Sequence, residues 1–301
     1  MILRAPLERP ALHSPSVPFR APSRLDTRVR AAAGALVAFE VLLLGATGAE
    51  GSGGVGPSLP PRAQLHLFLL VGQSNMAGRG AVEPSDEQPI ANVLAVNAAG
   101  EWVPATDPLH WDKPSAGVGL ARTFALHYLQ SHPGVSVGFI PAAVGGSPIS
   151  SWAPGAYYEE TKSHPYDDAL ARARPALTRG TLAGILWHQG ESDRSAQLAP
   201  RYGHALSELI ARFRRDLNAP KVPFLIGQLG QFVGAPWDEF ARSIDLAQRQ
   251  VASSVPLTAF VPSDGLAAKP DNLHFDAPAL REFGRRYAVA FAELTARENA
   301  R

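Results

Sequence analysis

The apolar run Leu67-Phe68-Leu69-Leu70-Val71 stops abruptly at Gly72, and Gln73-Ser74-Asn75-Met76 follows at once. A stretch this short, closed by a strong breaker, reads as a strand buried on both faces, the kind found in parallel sheets. Gly72 allows a sharp turn, which places Ser74 at the carboxyl end of that strand. Ligands of open α/β sheets bind at this edge. Read locally, Ser74 serves equally well as the cap of a following helix.

The same grammar recurs along the chain. Strand patterns fall near 65–71, 93–96, 135–140, 182–187, 222–229 and 257–261, and helical patterns near 117–130, 166–177, 200–217, 238–252 and 277–296. The last helical pattern carries Leu280, Phe283, Tyr287, Phe291 and Leu294 at the spacing of one buried face. Strands alternating with helices imply a mostly parallel sheet covered on both sides. Only one short strand is expected in the long segment 79–114, and loops of that kind over an α/β core shape pockets.

Three further segments carry chemistry. Asp271-Asn272-Leu273-His274 precedes the last helix, and its spacing can set a carboxylate beside an imidazole. Such a carboxylate fixes the His tautomer and leaves the other ring nitrogen free to take a proton from a serine. Val144-Gly145-Gly146-Ser147 ends another apolar strand in a glycine turn, whose N–H groups could meet an oxyanion or could simply form a turn. Trp187-His188-Gln189-Gly190-Glu191-Ser192-Asp193 crowds polar groups at a strand end, which is costly unless they bond to one another or to a ligand.

Together these blocks resemble the SGNH-hydrolase superfamily, and within it the sialate O-acetylesterase and acetylxylan esterase branch, carbohydrate esterase family six. The resemblance spans roughly residues 65–294. It implies a flavodoxin-like three-layer α/β/α sandwich with a mostly parallel central sheet, and removal of O-acetyl groups from carbohydrates through an acetyl-serine. It also implies Ser74 as nucleophile, His274 as base and Asp271 as its acid. The oxyanion donors become the N–H groups of Ser74 and Gly145 and the side chain of Gln189. The broader superfamily carries Asn where this chain has Gln189, the same amide on a longer arm. Glu191 is the alternative acid, or else a brace for the loops around Gln73 and Asn75. Gln73, Asn75, Trp152 and His188 are candidate substrate contacts, with Trp152 placed to offer its flat face to a sugar. Trp111 and Trp237 lie in loop-like stretches as further aromatic candidates.

The chemistry so read needs no cofactor, and no His/Asp/Glu spacing forms a recognisable metal set. The 301 residues include no cysteine, which removes disulfides and thiolate catalysis. A net charge of +1 without a basic stripe points away from nucleic acid. The alternatives are a carbohydrate-binding protein on an inactive esterase scaffold, and a lipase or thioesterase acting on longer acyl chains.

The esterase domain is expected over 65–301, behind a leader and linker over 1–64. Residues 1–30 are rich in Pro, Arg and Ser, 31–44 are mostly apolar, and small residues follow to 49. That layout is a secretory signal over about 31–49 and predicts an exported, periplasmic or secreted enzyme. The long lead and Glu40 speak for the other reading, a cytoplasmic enzyme with an unstructured leader. The apolar part is shorter than the ~20 residues that span a bilayer, so stable membrane insertion is not expected. Residues 50–64 read as a flexible linker.

Overall fold

The central strand β1 (Leu65–Gly72) explains the architecture of the computed structural model, which describes residues 58–300. Leu65, Leu67, Leu69 and Val71 enter one apolar core, while Phe68 and Leu70 enter another on the opposite face. A strand alternates its side chains, so this continuous apolar run requires cover on both sides.

The chain continues through α1 (Ser74–Ala77), β2 (Val93–Val96), β3 (Trp102–Pro104), α2 (Ala121–Ser131), β4 (Ser136–Pro141), α3 (Pro165–Leu177), β5 (Thr181–His188), α4 (Tyr202–Asp216), β6 (Phe224–Gly227), α5 (Glu239–Ser254), β7 (Thr258–Val261) and α6 (Ala277–Asn299). The sheet has seven strands in the order β3-β2-β4-β1-β5-β6-β7, and only the β2–β3 pair is antiparallel. Helices α3, α4 and α5 supply Leu170, Phe213 and Ile244 to one core. Helices α2 and α6 supply Phe124, Phe283 and Phe291 to the other. This is the three-layer α/β/α sandwich expected from the alternation of elements.

β1 lies between β4 and β5, so the chain leaves it toward one side of the sheet and later returns to the other. The crevice at this reversal, beyond the carboxyl ends of β4, β1 and β5, is where such sheets hold ligands. Three of the four polar blocks follow those three strands directly.

Several expected bounds shift. The helix expected from 117 begins at Ala121, because Gly117 donates to the Gly78 carbonyl and Val118 pairs with Gly80. The strand expected over 222–229 narrows to Phe224–Gly227. Segment 79–114 holds a second strand, β3, which covers the sheet edge.

The described residues belong to a unit spanning 52–301. The expected signal segment lies outside the described residues. Of the expected linker, residues 58–64 are described: Leu59 packs against the core, and Arg62–Gln64 form a 3₁₀ turn whose Arg62 donates to the Leu177 carbonyl.

Candidate active site

Gly72 sets the first element of the site. Its φ of +126° suits only glycine, and a Cβ there would stand 2.1 Å from the His188 carbonyl oxygen. The close approach lets Gln73 N–H donate to that carbonyl at 2.8 Å and Val144 N–H donate to the Gly72 carbonyl at 2.9 Å. The ends of β4, β1 and β5 are thereby locked together. Ser74 is the first residue of α1, where an N–H has no acceptor within its own helix.

The loop between β7 and α6 brings His274 to Ser74 across 200 residues of sequence. Asp271 Oδ1 accepts from the N–H groups of Leu273 and His274 at 3.0 and 2.9 Å, which folds the loop into a tight turn. Asn272, at φ 51°, takes the left-handed conformation that Asn tolerates. Asp271 Oδ2 lies 2.8 Å from His274 Nδ1, and His274 Nε2 lies 2.9 Å from Ser74 Oγ. Behind the turn, Asp276 caps α6 by accepting from Ala279 N–H.

Asn75 ties this loop down. Its Nδ2 donates to Glu191 Oε1 at 2.7 Å and to the Leu273 carbonyl at 3.2 Å, while its Oδ1 accepts from Phe275 N–H at 3.1 Å. One buried amide therefore grips the chain on both sides of His274. Burial raises the proton affinity of Asp271, but the His274 and Leu273 N–H groups and the His274 ring outweigh it and hold the carboxyl at about 2.

Four sequence expectations change. Trp152 is fully buried, donates to Ser147 Oγ at 3.0 Å and meets Trp187 edge-on, so it is a core residue and not a sugar platform. His188 is also fully buried, with Nε2 on the Gln228 carbonyl, which removes it from contact with substrate. Burial lowers its proton affinity, with Glu191 acting in the opposite direction. Both amide protons of Gln189 are committed, to the Ser147 carbonyl at 3.0 Å and to Asp193 Oδ2 at 2.5 Å. Gln189 thus anchors the Gly145–Gly146 turn to β5 and offers no free donor to an oxyanion. Asn75 is a clamp, as described, and not an open contact.

Glu191 accepts from Asn75 and stands 3.8 Å from His188 Nδ1, away from the His274 ring nitrogens that Asp271 and Ser74 engage. Glu191 thus braces Asn75 in this structure, and Asp271 is the carboxylate beside the His274 ring. Gln73 does line the pocket, and its Oε1 accepts long bonds from Gly190 and Ser192 N–H.

A cleft of about 360 Å³ opens over these groups, lined by Ser74, His274, Gly145, Gly146 and Ser192, and on its far wall by Arg79, Lys113 and Ser115. Arg79 and Lys113 belong to segment 79–114, which the sequence marks as pocket-shaping without singling out residues, and Ser115 follows directly. Arg79 donates to the Gly78 carbonyl and pairs with Asp112 at 2.7 Å, both side chains nearly enclosed at 4% and 3% exposure. The other contact of Asp112 Oδ2 is Gly145 N–H, at 2.8 Å. Lys113 pairs with Glu160 at the cleft mouth. Among the described residues no three His, Asp or Glu side chains converge to hold a metal ion, and no helix is long and apolar enough to cross a membrane.

With this sheet and the cleft at its reversal point in view, comparison with known proteins gives the class of the chain as a carbohydrate esterase. The sequence pattern of the family described as carbohydrate esterase, sialic acid-specific acetylesterase, matches residues 64–293. The chain belongs to that family, and it is a carboxylic ester hydrolase that removes O-acetyl groups from carbohydrates. A probable carbohydrate esterase of Arabidopsis thaliana is 31% identical over 255 residues, covering 77% of this chain and 91% of that protein. A solved Arabidopsis thaliana structure superposes with a TM-score of 0.67 at 29% identity, covering 78% of this chain and 99% of that one. NanS, at 19% identity and a TM-score of 0.62, shares the fold over 79% of this chain and 100% of its own. A carbohydrate acetylesterase from Xanthomonas citri, XAC1771, shares it at 20% identity and 0.59, over 76% of this chain and 56% of its own.

Proposed function

We infer that Ser74, His274 and Asp271 carry a two-step acetyl transfer from a sugar hydroxyl to water. The observation that supports this is the continuous hydrogen-bonded chain from Ser74 Oγ through the imidazole to Asp271, with contacts of 2.9 and 2.8 Å. Ser74 Oγ attacks the acetyl carbonyl and gives its proton to His274 Nε2. Asp271, ionised throughout the neutral range, accepts from Nδ1–H and stabilises the imidazolium. His274 then protonates the departing sugar oxygen, leaving acetyl-Ser74. Water adds by the same route, acetate leaves, and Ser74 recovers its proton.

The negative charge that develops on the carbonyl oxygen meets Ser74 N–H first. Gly145 N–H is the second candidate donor, and it serves only where the acetyl oxygen displaces Asp112 Oδ2, which holds it at 2.8 Å. Donors of this kind are each worth ~3 kcal/mol of barrier. Gln189 acts by holding the carbonyl of Ser147 and so fixing the turn.

The substrate is an acetylated carbohydrate, polysaccharide-borne or a sialic acid. Lys113 and Ser115 give the cleft groups that can bond to a polyol, which supports the carbohydrate reading. The basic lead and apolar segment over 31–44 support export. The deciding experiment is acetate release from a panel of acetylated polysaccharides and O-acetylated sialosides, with the Ser74→Ala protein as blank. Release by the parent alone is expected, and equal release by both proteins would overturn the assignment.

A further inference from the structure

Beside the catalytic cleft lies a second, smaller cavity of about 190 Å³, on the other side of the loop that carries Asp112. Its walls include Trp111, Asp112, Thr161, Ser163, Asp168 and Arg172. The two spaces share a partition. Asp112 faces the cavity and holds Gly145 of the cleft, while Val144 lines the cavity and Gly145 lines the cleft. The cavity far exceeds the ~10–15 Å³ that a single ordered water needs, so it admits a group larger than one water.

We propose that this cavity is a subsite for a neutral sugar ring of the substrate, adjacent to the ring or position that carries the acetyl group. The proposal rests on the esterase reading above and assigns its glycan a second point of attachment.

The chemistry of the walls carries the argument. Trp111 is 38% exposed although it is a large aromatic, and Arg172 already occupies one of its faces, 5.0 Å from the ring centroid. The exposed part of the indole offers a rigid aromatic surface that suits the C–H face of a pyranose. Arg172 and Asp168 stand one turn apart on α3 and both line the cavity. Within the protein Arg172 donates to the Pro141 carbonyl, and Asp168 Oδ2 accepts from His164 N–H. A guanidinium has five N–H donors and a carboxylate about four acceptor positions, so both retain capacity. A donor fork beside an acceptor pair matches two neighbouring hydroxyls, each of which accepts from one and donates to the other. The Thr161 and Ser163 hydroxyls, 2.7 Å apart, add two groups of the same dual character.

Charge selects a neutral ligand. Arg79 already neutralises Asp112, so Asp168 and Arg172 remain as one negative and one positive charge. An acidic sugar would bring its carboxylate to Asp168 as well as to Arg172, and the repulsion would offset the gain. A neutral ring meets no such opposition.

The test compares parent and Trp111→Ala proteins on three substrates: 4-nitrophenyl acetate, acetylated xylotriose and an O-acetylated sialoside. A second variant, Thr161→Ala, guards against local damage from loss of the indole. The expected result is a KM for acetylated xylotriose raised about tenfold by Trp111→Ala and about threefold by Thr161→Ala, with kcat little changed. The kcat/KM for the aryl acetate, which has no sugar, stays within about twofold of the parent. An unchanged KM for xylotriose in both variants would overturn the subsite while leaving the esterase intact. A parallel loss on the aryl acetate would also overturn it, by showing that the residues support the fold. A KM effect confined to the sialoside would overturn the neutral assignment. A parent that cleaves the aryl acetate but no acetylated sugar would refute the substrate reading, and the subsite with it.

Discussion

The N–H of Gly145 and the carboxylate of Asp112 are 2.8 Å apart, so a candidate oxyanion donor is held by an anion within the same chain. Arg79 completes the arrangement by pairing with Asp112 and donating to the Gly78 carbonyl beside α1. The ion pair thus links the turn that follows Ser74 to the turn that follows β4. Because both side chains are enclosed, Asp112→Ala leaves the Arg79 guanidinium buried without a counter-charge. A loss of about 3 kcal/mol is expected from urea unfolding of parent and variant. An unchanged unfolding midpoint would show that the pair is not stabilising the loops it joins.

Ser74→Ala removes the attacking oxygen and leaves the scaffold in place. Hydrolysis of an aryl acetate is expected to fall by about 10⁴-fold, with a far-ultraviolet dichroism spectrum that overlays the parent. Parent-like rates from the variant would move the nucleophile elsewhere.

Asp271 and Glu191 are distinguished by what they touch. Asp271 receives His274 Nδ1, whereas Glu191 receives the Asn75 amide. Asp271→Asn is expected to lower kcat by about 10³-fold or more, because an amide can hold the ring in the wrong tautomer. Glu191→Gln keeps an acceptor for Asn75, so its kcat is expected to stay within about tenfold of the parent. Steady-state rates of the two variants against one aryl acetate decide it, and the reverse order would exchange the two roles.

Most of the fold is legible in the sequence because burial on both faces leaves unbroken apolar runs, as in β1. Strand β3 escapes because three residues, Trp102-Val103-Pro104, make no period. The late start of α2 escapes because its cause is tertiary: Gly117 and Val118 bond to Gly78 and Gly80 instead of starting a helix. The pairing of Asp271 with His274 is legible because the spacing itself makes the turn. Direction of side chains is not. Trp152, His188 and Gln189 lie near the site in sequence, yet packing turns all three inward. Asp112 lies in a segment whose path no periodicity fixes, so its contact with Gly145 could be found only in three dimensions.

The inward turn of Trp152 has a measurable consequence. It fills one core against Trp187 and donates its indole N–H to Ser147 Oγ. Trp152→Phe keeps part of the volume but leaves Ser147 without its donor, and a loss of about 2 kcal/mol is expected on unfolding. The KM for acetylated sugars should not move. A raised KM with unchanged stability would restore Trp152 as a substrate platform.

Asp107 contributes one testable part of the pH dependence of stability. It is buried, with Oδ2 3.5 Å from Arg122 Nη1 and Oδ1 3.4 Å from Gly119 N–H. Burial pushes its carboxyl up from 3.8 to about 7, against the pull of Arg122. Between those values the folded chain keeps a proton that the unfolded chain has released. Its contribution to stability is therefore complete below about pH 4 and is lost as pH rises through about 7. Asp107→Asn, which is neutral at every pH, removes that dependence. Unfolding midpoints in urea at about pH 5 and pH 8 are expected to show the parent weakening relative to the variant as pH rises. A constant difference between the two proteins across that interval would mean that Asp107 is already ionised in the folded state.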